Sequence, residues 1–124
     1  MKNNQLLRTG CIPLIDFQGV TVVKGGKRIL DRISLRICEG EHVAILGPNG
    51  AGKSSFIKTI TREYYPLAKS RHFACRIWGQ ERWNVFDLRS ALGIVSHDLQ
   101  DSFAREMTGF EVVLSGFFSS IGLY

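Results

Sequence analysis

The chain has 124 residues, 44% of them hydrophobic and 22% charged, with a formal net charge of +5 and a pI near 9.4. That is the length of one domain with ordinary globular composition, which excludes a disordered or low-complexity chain. No run approaches the roughly 18 apolar residues of a membrane helix, and Met1–Arg8 lacks the apolar core of a signal peptide. The positive residues are dispersed. Their densest clusters, Lys24-Gly-Gly-Lys27-Arg28 and Lys69-Ser-Arg71-His72, sit at turns without interleaved aromatics. This pattern favours a solvated basic surface suited to an anionic ligand over a nucleic-acid platform. Cys11, Cys38 and Cys75 are odd in number and scattered, and read as reduced thiols.

In chain order, residues 1–11 form a polar lead. Residues 12–17 and 19–23 are short and β-branched, Lys24-Gly25-Gly26-Lys27 is a turn, and 33–37 alternates as a half-exposed strand. Glu39-Gly40-Glu41 then turns the chain into His42-Val43-Ala44-Ile45-Leu46, a short apolar run expected as a buried strand. Directly after it comes Gly47-Pro48-Asn49-Gly50-Ala51-Gly52-Lys53-Ser54, and then Ser55, Phe56, Ile57 and Ile60 at helical spacing. This is the glycine-rich phosphate-binding pattern in its required strand–loop–helix setting.

The chemistry follows from the residue types. Gly47, Gly50 and Gly52 admit backbone conformations closed to other residues and let amides approach phosphate oxygens closely. The helix starting near Lys53 directs its positive end at the same anion. The pattern assigns Lys53 to the β- and γ-phosphates and the Ser54 hydroxyl to Mg²⁺.

Farther along, Pro66 breaks the helical pattern at Tyr64-Tyr65-Pro66-Leu67. Residues 71–78 read as a strand, with Trp78 and Trp83 as buried shoulders of a surface turn. Residues 87–90 read as a helical turn and 92–95 as another strand. Thr108-Gly-Phe-Glu111 is a capping box opening a helix with Phe110, Val113, Leu114 and Phe117 at core spacing.

The sequence from Leu46 to Ser55 resembles the loop of ATP-binding-cassette (ABC) ATPases. The resemblance extends upstream through Leu30-Asp31-Arg32-Ile33-Ser34-Leu35-Arg36-Ile37 and Glu39-Gly40-Glu41. Downstream it takes in Leu88-Arg89 and Leu92-Gly93-Ile94-Val95-Ser96. The stretch from Glu111 to Tyr124 is similar to the molybdenum-transport and photorepair-associated branch. The resemblance implies an α/β fold: a P-loop NTPase (RecA-like) core with an antiparallel β-subdomain, truncated before the signature and Walker B regions. Residues 12–124 are then the N-terminal half of a nucleotide-binding domain. The uncharged, apolar run from Val112 to Tyr124, which needs a partner surface, agrees with truncation. In the family the strand completing the parallel core lies in the other half, so strand 42–46 is expected with an unpaired edge.

The resemblance further implies ATP and Mg²⁺ as ligands, held by Gly47 through Ser55, and a cytoplasmic location, peripheral to the inner face of the plasma membrane. It implies a second ABC ATPase subunit as head-to-tail partner and a membrane permease; nucleic acid is not an expected partner. The chain alone is expected to bind ATP without hydrolysing it. A soluble non-transport ABC protein of DNA repair or stress, and a non-functional remnant, are the alternatives. Two positions depart from the family pattern. The glutamine that bridges metal and water is replaced by His97, with Gln100 a distant substitute. The aromatic that stacks on adenine has its counterpart near Val23, and no aromatic lies between Gly19 and Leu30. Leu114-Ser115-Gly116 resembles the family's signature loop in letters only, because the capping box places it inside a helix.

Overall fold

The computed structural model describes residues 10–67, 71–97, 101 and 106–117, with the side chain of Phe117 outside the description. Two compact units span residues 1–82 and 83–124. The first is built on a three-stranded antiparallel sheet of order β2-β1-β3. Strand β1 (Pro13–Lys24) and strand β2 (Lys27–Cys38) pair along their whole length, from Pro13↔Cys38 to Lys24↔Lys27. The reversal falls on Gly25 and Gly26, whose φ of +56° and +73° suit glycine in a two-residue hairpin turn.

The two short strands expected over 12–17 and 19–23 are one strand with a bulge. The register shifts between Phe17 and Val20, around Gly19 with φ +59°. The extra residue resets the alternation, so that Phe17, Val20 and Val22 are all buried although 17 and 20 differ in parity. Strand β3 (Ala74–Ile77) is shorter than the 71–78 expectation and pairs with β1 from Ile15↔Ile77 to Gln18↔Ala74. Helix α1 (Lys53–Ile60) buries Phe56, Thr59 and Ile60, and the Phe56 ring meets Phe17 edge-on at 5.6 Å. Ile57 points outward, as helical spacing between two buried neighbours requires.

Two polar clusters tie these elements together. Asp16 sits opposite Arg36 on one neighbouring strand and Arg76 on the other, and its carboxylate lies 3.3 Å and 3.8 Å from their guanidinium groups. Opposite charges at paired positions fix the register of both ladders. Arg62, just past α1 with φ +59°, is buried and donates to the Cys75 sulfur at 3.0 Å and to the carbonyls of Cys75 and Glu81 at 3.2 and 3.3 Å. α1 ends at Ile60, before Pro66 is reached, and Arg62 staples the chain there to β3.

Several expectations are corrected. Residues 42–46 and 92–95 form no strand, and Val43, Ile45, Leu46, Ile94 and Val95 are exposed, Val95 fully. The physical reason is that a strand of a parallel core is held by neighbours on both sides, and the described sheet is antiparallel and pairs neither segment. The expected unpaired edge is thus an irregular segment. Trp78 is exposed at 39% with φ +47°, not a buried shoulder. Cys11 and Cys38 are not free thiols but are joined in a disulfide, leaving Cys75 as a buried free cysteine. The spacing of 27 residues hid their proximity, which β1–β2 pairing creates.

In the second unit, helix α2 (Val85–Ala91) starts earlier than 87, because the Asn84 side chain accepts from the Phe86 amide at 2.9 Å. Leu88 is fully buried. Helix α3 (Gly109–Phe117) opens on the expected capping box. Glu111 Oε2 accepts from the Thr108 amide at 2.7 Å and from its hydroxyl at 2.9 Å, and Thr108 Oγ1 accepts from the Glu111 amide at 3.3 Å. Among the described side chains of α3, Ser115 is buried and Leu114 half-buried, whereas Phe110 and Val113, expected in the core, are exposed.

The two Thr108 hydrogen bonds hold the Glu111 carboxyl below its ordinary value of 4.5. A depressed carboxyl contributes stability above its unfolded value and loses it as pH falls through the folded one. α3 is therefore expected to keep its first turn at neutral pH and to fray in acid, as pH falls through the depressed Glu111 value. Amide NMR shifts of Thr108 and Glu111 followed through an acid titration check this, and Glu111→Gln should flatten the response.

Candidate functional site

The turn from Gly47 to Gly52 is a sharp reversal between the irregular segment 41–46 and α1. It is braced by the Ala51 amide donating to the Pro48 carbonyl at 3.2 Å and by the Phe56 amide donating to the Gly52 carbonyl at 2.8 Å. Gly50 and Gly52 adopt φ of +83° and +96°, where a side chain is strained. At Gly52 the reason is also steric: a Cβ would lie 2.9 Å from the Ile29 carbonyl and 3.0 Å from Leu30 Cδ2. Gly52 therefore seats the turn directly on β2. It is also the N-cap of α1, which has no side-chain cap and no acidic residue in its first turn. The amides at that helix start, with the positive end of the helix dipole, form an anion-binding geometry.

Lys53 bends back over this turn, its ammonium donating to the Gly47 carbonyl and, at 2.9 Å, to the Pro48 carbonyl. A cation held only by neutral carbonyls can exchange them for phosphate oxygens, which are stronger acceptors. Gly47, Pro48, Asn49, Gly50 and Ala51 are solvent-exposed, as is Ser54, while Gly52, Lys53 and Ser55 are half-buried. The Ser54 hydroxyl is thus accessible beside the ammonium-bearing residue. The sequence-predicted set from Gly47 to Ser55 is brought together in one turn.

The two outlying candidates are placed differently. Val23 lies at the end of β1, 38% exposed, and lines a cavity of about 440 Å³ with Thr21, Leu67, Arg28, Asp31 and Arg32. Arg28 and Arg32 both approach Asp31, at 3.2 and 3.4 Å, and the Arg32 amide donates to Thr21 Oγ1 at 3.0 Å. The sequence shows Arg28 in a basic cluster and Asp31-Arg32 in the family-like segment, but their gathering beside Val23 depends on the pairing of β1 with β2 and has no motif. His97 is exposed and lies in the second unit, and Gln100 falls outside the described residues, as do Lys69 and Ser70 of the second basic cluster and residues 118–124 of the branch-like stretch. Leu114, Ser115 and Gly116 lie inside α3, as the capping box requires. Among the described residues no group of three or more His, Cys, Asp or Glu could hold a metal ion, and no helix is long and apolar enough to cross a membrane.

Among the described residues the site is a glycine-rich turn seated on a β-hairpin and leading into an uncapped helix with lysine at its first position, without the strand that the pattern expects before it. The family described as ABC transporter matches residues 30–115, and the chain belongs to that family. It is 33% identical over 115 residues to the ABC transporter ATP-binding protein ModF of Escherichia coli (strain K12), covering 90% of this chain and 23% of that protein. It is 31% identical over 111 residues to the uncharacterized ABC transporter ATP-binding protein YlmA of Bacillus subtilis (strain 168), covering 90% and 42%. Over 104 residues it is 36% identical to the hemin import ATP-binding protein HmuV of Photobacterium profundum, covering 82% and 35%. The chain thus spans less than half the length of these relatives.

Because the Gly52 contact leaves no room for a Cβ, Gly52→Ala is expected to destabilise the first unit by about 1–3 kcal/mol. Urea unfolding of the variant beside Gly50→Ala separates the causes. Gly50 has a similar φ and open space around it, so it should lose only the backbone share.

Proposed function

We propose that this chain is the nucleotide-cradling N-terminal part of an ABC ATPase that energises a transporter. The observation that carries the reading is the forced glycine at Gly52, which holds the loop and the α1 start in an anion-binding shape with Lys53 at its rim. In this reading ATP lays its β- and γ-phosphates on the amides of residues 50–55. Lys53 leaves the Gly47 and Pro48 carbonyls for those phosphates and offsets their charge. The exposed Ser54 hydroxyl fits the role of a hard oxygen donor to Mg²⁺, which commonly keeps waters and takes its other ligands from phosphate. Mg²⁺, when bound, supplies charge neutralisation along the phosphate chain.

Val23 and the neighbouring cavity provide the contact for the base, without an aromatic platform. His97 stands where the family's bridging glutamine is expected, and an imidazole there offers one nitrogen to a metal or a water. The protein acts at the cytoplasmic face of a membrane, with a second ABC ATPase subunit and a permease. The names of relatives such as HmuV and the cobalt import ATP-binding protein CbiO of Rhodobacter capsulatus support the transport reading over a soluble repair role.

This chain holds a phosphate cradle, and among its described residues no carboxylate stands at the loop to polarise a water. It is therefore expected to bind Mg-ATP without releasing phosphate. Lys53→Ala should weaken binding by at least about tenfold, on the order of the 1.5–3 kcal/mol of a charge-assisted contact. Calorimetric titration with Mg-ATP and a phosphate-release assay on the same protein check both statements, and phosphate release that Lys53→Ala removes would refute the second.

Base–aromatic stacking contributes about 1–3 kcal/mol elsewhere, so its replacement by Val23 should leave base selectivity loose. ATP and GTP are expected to bind within about fivefold of each other, and Val23→Tyr should strengthen ATP binding by about tenfold. Competition titrations against a fluorescent nucleotide measure both ratios.

A further inference from the structure

Cys11 and Cys38 are brought together by the sheet itself. Cys38 is the last residue of β2 and pairs with Pro13, two residues after Cys11. Their Cα atoms are 5.5 Å apart, near the middle of the range a disulfide requires. The surrounding backbone is held independently of the sulfurs. The Glu39 amide donates to the Ile12 carbonyl at 2.8 Å, the Cys38 amide to Glu41 Oε2 at 2.9 Å, and the Glu41 amide to the Cys38 carbonyl at 3.2 Å. Opening the bond therefore leaves the two cysteines facing each other, ready to close again. Both are half-buried, within reach of a small thiol, whereas Cys75 is buried beneath Arg62.

We propose that Cys11 and Cys38 are a reversible thiol–disulfide site whose co-reactant is a low-molecular-weight disulfide of the glutathione type. The assignment rests on the cytoplasmic placement proposed above, because in a reducing compartment a disulfide is rarely permanent and is more often transient or redox-sensing. One cysteine thiolate attacks the sulfur–sulfur bond of the small disulfide, giving a mixed disulfide and expelling one small thiolate. The second cysteine's thiolate then attacks the protein sulfur of that mixed disulfide, closes the Cys11–Cys38 bond and expels the second small thiolate. The two protons lost by the cysteines end on the two small thiols. The protein pair is oxidised by two electrons and the small disulfide is reduced by the same two.

The position gives the bond a consequence. Cys38 precedes the irregular segment 39–46, and Gly52 at the far side of the loop is seated on Ile29 and Leu30. With the bond closed, the stretch from Glu39 to Ala51 is tethered at both ends; with it open, the Cys38 end is held by hydrogen bonds alone. Oxidation thus adds a covalent restraint to an end that the hydrogen bonds already hold in place, and reduction makes local opening of the segment easier without displacing it.

The test equilibrates the 124-residue chain in glutathione mixtures from fully reduced to fully oxidised, traps free thiols with iodoacetamide and counts them by mass spectrometry. The expected result is that Cys11 and Cys38 gain protection together at an intermediate ratio, while Cys75 is alkylated equally, after denaturation, at every ratio. Amide exchange at Glu39 should quicken about tenfold on reduction. Cys38→Ser should leave Cys11 carrying only a mixed glutathione adduct, and Cys11→Ser should do the reverse should the first variant fold poorly. A pair that stays alkylatable in oxidised glutathione alone, or stays protected in reduced glutathione alone, overturns the proposal. Mg-ATP affinity measured on the same samples keeps the two readings apart. An intact two-cysteine transition in a chain that does not bind ATP supports this site and overturns only the nucleotide reading.

Discussion

The backbone of Gly52 lies against the Ile29 carbonyl and the Leu30 side chain at a distance that admits no Cβ. Through this contact the phosphate-binding turn rests on the long β1–β2 hairpin instead of hanging from a flexible loop. The hairpin is in turn fixed by twelve-residue strands, by the bulge at Gly19 that turns Phe17, Val20 and Val22 into the core, and by the edge-on contact of Phe17 with Phe56 of α1. Each buried apolar side chain of this size contributes about 1.5–3 kcal/mol. The helix start is thus held from two sides, by the glycine at its N-cap and by Phe56 one turn later. An anion site gains from such support, because donors already in place need little ordering when the ligand arrives.

Two other apolar segments, one in each unit, behave differently. Val43, Ile45 and Leu46, like Ile94 and Val95, have the composition of buried strands yet are exposed and carry no strand structure. Strand propensity is largely a matter of fitting a half-buried pleated surface with neighbours on both flanks. Where the neighbours are missing among the described residues, the same side chains remain in solvent. The sheet that does form needs no such neighbours, since β1 finds antiparallel partners on both edges within 65 residues of sequence, from Pro13 to Ile77.

Charge is used locally in this basic chain. Asp16, buried, stands between Arg36 and Arg76, and Arg76 continues to Glu81 at 3.1 Å. Asp31 takes both Arg28 and Arg32. The Asp31 pairs, exposed and all within β2, contribute little to stability, whereas the partners of Asp16 stand opposite it across strands and disfavour slipped registers. Lys53 is held otherwise, by carbonyls, which leaves its charge uncompensated for a phosphate. Arg62 is committed in full to structure, three of its hydrogen bonds closing the end of α1 onto β3 and the turn at Glu81.

Local chemistry was legible in the sequence by itself. The glycine pattern from Gly47 to Gly52, the Gly25-Gly26 turn and the Thr108–Glu111 box each act over a few residues, and the structure holds the positive-φ turns and the helix cap that their residue types dictate. Family membership was legible for the same reason, since the motif and its flanks are contiguous. What only the tertiary structure decided depends on pairing between distant segments. It joined Cys11 to Cys38, merged two strands through the Gly19 bulge, gathered Arg28, Asp31 and Arg32 beside Val23, and buried Arg62. It also left 42–46 and 92–95 without a sheet, because an apolar run states that a segment should be covered and does not supply the strand that covers it.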